Sequence, residues 1–208
     1  MTATGRPNWF EGWRLFALLT LILMALCLWV AGMRQFEVEG VRIVIRFTAR
    51  TSLLFFCLAF SSAALARLWP NGWTRWQRRN RRYLGVTFAA SHALHAVAIF
   101  AFAKMDPAGF ASTTSLASYV FGSVGYACII AMTATSFDAT SAMLGPRAWR
   151  ALHLVGGYYL LLQFTISFGK RIPESPLYAL ALIPLALVFT LRMIAMASRH
   201  TPRTVEAN

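Results

Sequence analysis

Three histidines stand inside apolar stretches of this chain. His92 and His95 lie in a run from Val86 to Ala103, and His153 in a run from Trp149 to Phe168. An ionisable side chain in such a stretch is expensive to bury and marks a candidate functional site. His92 and His95 are three residues apart, so a helix puts them on roughly one face. Neutral imidazoles on two helices can ligate the iron of a b-type haem, hold another metal ion, relay protons or bridge helices by hydrogen bonds. Residue type and spacing leave those four readings open. Gln163 joins the group, because an amide in an apolar run needs a partner. His200 lies in the polar C-terminal tail and is read as solvated.

The elements that must position these side chains are apolar helices. The chain has 208 residues, of which 58% are hydrophobic, and a mean hydropathy of +0.55. That composition predicts an all-α, polytopic membrane protein, a single domain built as a six-helix bundle. The six predicted spans run from Trp13 to about Met33, Thr51 to about Leu68, Arg82 to Ala103, Ser118 to about Thr135, Trp149 to Phe168, and Tyr178 to about Met196. Trp9 and Trp13 read as interfacial anchors of the first. Gly122 and Gly125 would let the fourth approach a neighbour closely. The first run is read as a span, because no small-residue cleavage site clearly follows it.

The net charge of +13 does not make this a nucleic-acid-binding protein, because its arginines sit between apolar runs and not along a soluble face. With the N-terminus in the cytoplasm, 13 of the 20 Lys and Arg residues fall on the cytoplasmic side. The other side holds Arg34, Arg42, Arg46, Arg50, Lys104, Lys170 and Arg171. The cluster Arg75 to Arg82 supplies most of the bias. Cys27, Cys57 and Cys128 each fall in an apolar run and read as small buried hydrophobes, with no Cys-x-x-Cys-His for covalent haem attachment. The stretch Val41 to Phe47 reads either as a short amphipathic segment in the outer interface or as an ordinary loop. Asp138 reads as a helix cap or a partner of Arg147. No segment is long enough for a nucleotide-binding domain.

Several stretches resemble a known family. Arg81-Arg82-Tyr83-Leu84-Gly85-Val86, with His95 nine residues on, is similar to the third span of the ferric reductase-like transmembrane domain. Phe47-Thr48-Ala49-Arg50-Thr51 resembles the start of its second span, Thr135-Ser136 the end of its fourth, and Leu144-Gly145-Pro146-Arg147 with Trp149 and Leu152-His153 the start of its fifth. Within that family the pattern is nearest to the haem-binding membrane subunits of bacterial methionine sulfoxide reductase systems. The resemblance covers the second to fifth spans in order. It implies a b-type cytochrome of the bacterial inner membrane that binds haem b non-covalently and takes electrons from a separate flavoprotein or from quinol. His95 and His153 match its haem ligands, and Arg50 is expected to contact an anionic group such as a propionate.

The chain also departs from that pattern. The family's outer ligand of the fifth span falls here on Ile166. Counted from the span starts, His95 lies about 20 Å deep and His153 only about 6 Å, whereas His92 is one turn nearer to His153. Gln163 is level with His95, and is expected to bond an imidazole, a water or a small molecule such as a quinone. His92 therefore competes with His95 as the partner of His153. A haem-free scaffold or small-molecule binder with helix-bridging histidines remains the second reading, and a metal or proton transporter the third.

The arginine bias makes a prediction about topology: both termini are cytoplasmic. A C-terminal fusion to an enzyme active only in the periplasm should be silent, and an active fusion would invert the topology.

Overall fold

The computed structural model describes residues 9–198; Arg6, Arg199, His200 and Arg203 lie outside the described residues. The fold is all-α, and six of its helical segments are long and apolar enough to cross a membrane. They are α1 (Gly12–Met33), α2 (Val38–Leu68), α4 (Arg81–Met105), α6 (Leu116–Ala134), α8 (Pro146–Gly169) and the composite of a 3-10 turn (Pro176–Ala181) with α9 (Leu182–Ala197). Three short helices lie between them: α3 (Gly72–Arg79), α5 (Pro107–Thr113) and α7 (Asp138–Leu144). This is the architecture of a multi-pass membrane protein.

The segment Val41 to Phe47 is a correction. It is neither a loop nor a separate interfacial segment, but part of α2, which starts at Val38. Val41, Val44, Ile45 and Thr48 follow helical spacing and put one apolar stripe against Leu94 and Ala98 of α4. Arg46 pairs with Glu39 two turns back at 2.7 Å. The tight turn from α1 into α2 uses positive φ at Gln35 and Phe36, and Gly40 sits where a Cβ would come within 2.8 Å of the Arg34 Cβ. The sixth span also starts differently. Pro184 has no N–H to give to the preceding turn, and the chain enters α9 through the 3-10 turn.

The strongest pairing is between α2 and α4, along a seam of hydroxyls. Thr48, Ser52 and Ser91 are fully buried. The Ser52 hydroxyl donates to Ser91 Oγ at 3.0 Å, Thr51 Oγ1 lies 2.9 Å from Ser91 Oγ, and Ser91 donates to the Thr48 carbonyl at 3.3 Å. Small side chains let the two backbones approach, and each polar atom finds its partner inside the protein. Phe56, Leu84 and Phe88 carry the apolar core from that seam toward Leu160 and Phe164 of α8.

One end of the bundle is tied by polar contacts that the sequence did not announce. The amide of Gly12 donates to Asn80 Oδ1, Trp76 Nε1 donates to the Phe10 carbonyl, and Arg67 donates to the Ser198 carbonyl. Buried Gln77 donates to the Leu58 carbonyl at 2.7 Å. These contacts gather α3, both ends of the described chain and the arginine cluster at one face.

Removing the central hydroxyl tests the seam. Ser91→Ala should destabilise the protein by about 1 kcal/mol, read as a lower melting temperature in detergent; an unchanged melt would show that packing alone holds α2 to α4.

Candidate functional site

The histidines fall into two separate places. His95 faces α2: its Nδ1 lies 3.1 Å from the Ile45 carbonyl and 3.0 Å from Thr48 Oγ1. A carbonyl only accepts, so Nδ1 carries the proton and Nε2 keeps the lone pair. His92 lies one turn nearer the arginine-rich end, 5.2 Å from His95 between ring centroids. Tyr126 of α6 and Phe164 of α8 cover it, at 5.0 and 6.1 Å. Its Nδ1 is buried without a partner. Phe164 is eleven residues beyond His153 on α8, about 16 Å along the helix. His92 therefore packs too far from His153 for the two to share one iron. Among the described residues, no three His, Cys, Asp or Glu side chains converge on a point.

His153 lines a cavity of about 1000 Å³ between α4 and α8. The walls are apolar and aromatic, with Phe56 and Phe60 from α2, Phe88 from α4, Ile129 from α6, and Trp149 and Leu160 from α8. Its His153 ring stacks on Trp149 at 4.3 Å. Nε2 of His153 lies 3.2 Å from Thr135 Oγ1. The Thr135 hydroxyl gives its own proton to the Ala131 carbonyl at 2.8 Å, so it accepts from Nε2–H and leaves the lone pair on Nδ1. Trp149 Nε1 donates to the Thr135 carbonyl at 2.9 Å and fixes the same corner.

Among the described residues, six arginines line the cavity and no carboxylate does: Arg78, Arg79, Arg81, Arg82, Arg150 and Arg192. Arg79 reaches Glu11 at 3.3 Å, and Arg82 reaches Asp138. The other four have no acidic partner among the described residues. Arg192 belongs to the apolar α9. Its guanidinium lies over the Phe60 ring at 4.0 Å, donates to the Phe60 carbonyl at 3.0 Å and reaches Tyr158 Oη at 3.4 Å. Gly157 makes room for this arrangement, since a Cβ there would come within 2.7 Å of the Phe60 ring. Gly156 likewise accommodates the Met132 sulfur. The glycine pair thus serves close helix approach, and Tyr158 steadies Arg192.

Arg50, Gln163 and Asp138 stand apart from the histidine sites. Arg50 is exposed, with no hydrogen-bond or ion-pair partner among the described residues, and it lines no part of this cavity. Thr48, two residues earlier, takes the inward face of α2 and turns Arg50 away. Gln163 is half-buried and makes no hydrogen bond to a histidine, because His95 is already held by α2. Asp138 pairs with Arg82 and not with Arg147, because α7 folds back over the start of α4. Arg192 is legible in the sequence as an arginine inside the apolar run from Tyr178 to Met196. Thr135 and Trp149 carried no signal for a histidine support beyond the order of motifs.

No family model, no curated protein and no solved structure matches the chain.

Asp138 straps α7 to α4, and α7 contributes Ser141 and Ala142 to the cavity wall. The Arg82 guanidinium, by hydrogen bond and by charge, holds the Asp138 carboxyl below its ordinary value. A depressed carboxylate pKa contributes stability that is full above the unfolded value, about 3.9, and is lost as pH falls through the lower folded value. Asp138→Asn at neutral pH should therefore mimic strong acid, speeding amide exchange in α7 while leaving α2 and α4 protected. Unchanged exchange in α7 would remove the strap.

Proposed function

We propose that this protein is a b-type cytochrome that carries electrons within the bacterial inner membrane, as its resemblance to the ferric reductase-like family implies. The observation that carries the reading is the cavity between α4 and α8, which combines one free imidazole lone pair, aromatic walls and unpaired arginines. His153 would be the imidazole that meets a b haem here; Thr135 holds its Nε2, the nitrogen that haem iron ordinarily takes, so ligation would require that contact to yield. Arg81, Arg150 and Arg192 offer charge-assisted hydrogen bonds to two carboxylates. The aromatic walls suit a flat apolar ring.

Bound there, the haem supplies reversible one-electron chemistry between ferric and ferrous iron. The protein's own part would be to meet its carboxylates with Arg81, Arg150 and Arg192 and its apolar ring with Phe88 and Leu160. That end is the cytoplasmic one by the charge rule. The same cations favour encounter with an acidic donor such as a flavoprotein; a quinol donor would reach the cavity from the lipid. His95 acts mainly as a helix bridge, and His92 as part of the aromatic packing above the cavity.

A second reading rests on the arginines alone. Four cations without acidic partners also suit a haem-free site for an anionic amphiphile.

Purification in mild detergent separates the two. The first reading expects a red protein with a Soret band that shifts on dithionite reduction. His153→Ala and Arg192→Gln should lower haem retention several-fold, and His92→Ala, His95→Ala and Arg50→Ala should keep it. A folded, colourless wild-type protein would leave the second reading. Full haem in His153→Ala would move the site elsewhere.

A further inference from the structure

The short helix α3 has its polarity reversed. Its inward face is polar: Thr74, Gln77 and the capping Asn80 are buried. Gln77 Nε2 donates to the Leu58 carbonyl and to Ser61 Oγ, and Asn80 Oδ1 accepts from the Gly12 amide, so α1 and α2 hold this face. Helical spacing then turns the tryptophans and arginines outward. Trp73 is 61% exposed, and Trp69, just before the helix, 55%. Trp73 stacks on Trp76 at 4.8 Å, and Trp76 is pinned by its bond to the Phe10 carbonyl at 2.8 Å. Arg75 is exposed on the same helix and has no acidic partner among the described residues. Its guanidinium reaches a neutral group, the Pro70 carbonyl, at 3.5 Å. A helix lying on water would turn its tryptophans inward. But α3 joins the end of one spanning helix, Leu68 of α2, to the start of another, Arg81 of α4. That puts it at the level of lipid headgroups.

We propose that the outward face of α3 is a binding site for an anionic phospholipid. The Arg75 guanidinium takes the phosphate oxygens, since its planar fork matches them. The Trp69 and Trp73 rings lie against the glycerol and the upper acyl chains, because indole favours the boundary between headgroup and hydrocarbon. A zwitterionic lipid carries its own ammonium beside the phosphate, so a lipid of net negative charge is preferred. An acidic protein would also suit Arg75, but would leave that boundary preference of the two indoles unused. The inference stands apart from the cytochrome reading, because Trp69, Trp73 and Arg75 line no part of the cavity.

The test uses the intact protein in mild detergent, mixed with equal amounts of phosphatidylglycerol and phosphatidylcholine. Native mass spectrometry counts the lipid retained. The wild-type protein should keep about fivefold more phosphatidylglycerol, and that lipid alone should raise its melting temperature. Arg75→Gln should bring retention of the two lipids close to parity and remove the rise. Trp73→Ala should lower retention of both lipids. Arg171→Gln, at the other end of the bundle, should change neither reading. Gel filtration shows whether each variant has folded. Inorganic phosphate at the same concentration should leave the melting temperature unchanged; a rise that Arg75→Gln abolishes would assign the site to free phosphate and overturn the lipid. Equal retention of the two lipids by the wild-type protein would overturn the inference and leave this face to an acidic protein. A full preference in folded Arg75→Gln would overturn it as well. Haem retention is read separately, so either result leaves the cytochrome reading where it stands.

Discussion

The hydroxyl seam between α2 and α4 sets the geometry of everything else. In a bilayer, a serine or threonine must find its partner inside the protein, and Thr48, Ser52 and Ser91 find theirs across this one interface. Ser91 and His95 are four residues apart, so the face of α4 that carries them is committed to α2. The neighbouring face, with Arg81, Gly85 and Phe88, is then turned the other way, toward α8. Since α8 packs on α6 through Gly125 and Gly156 and on Phe60 of α2 through Gly157, it meets α4 at Phe164, beside Phe88 and His92, and leaves a gap toward the arginine-rich end. The cavity is the space left between two satisfied interfaces.

Electrostatics gives that space its character. A guanidinium in an apolar helix is tolerated only with partners, and Arg192 has an aromatic face, a carbonyl and a phenol rather than a carboxylate. Arg81 lies close enough to Arg78 and Arg192 to feel their charge. Like charges held around one concave surface raise the local potential and attract an anion. The two carboxylates nearby, Glu11 and Asp138, are exposed and already paired with Arg79 and Arg82. The remaining positive charge makes the cavity wall an anion-attracting surface.

The outer histidines are held in another way. His95 is oriented by a carbonyl and a threonine of α2, and His92 by aromatic rings. Phe88, which lines the cavity, packs against His92. The arrangement divides three histidines that look like one set in the sequence into a bridging pair and a single free donor. His95, held by α2, makes no bond to Gln163.

The all-α class, six spans and the arginine-rich end were legible in the sequence, because each depends on composition and on the length of apolar runs. The start of α2 was not legible: Arg42 and Arg46 break the apolar run, and only packing against Leu94 and Ala98, with Glu39 neutralising Arg46, makes that segment part of the helix. Depth counting from span starts placed His92 near His153, but the relative shift and rotation of α4 and α8 put Phe164 beside His92 instead. Such shifts are set by which small and polar residues interlock between helices, and no single helix carries that information. The sequence by itself determined which side chains are available for chemistry. Tertiary structure alone decided which share a cavity, because that depends on how α2 and α6 each claim one face of a histidine-bearing helix.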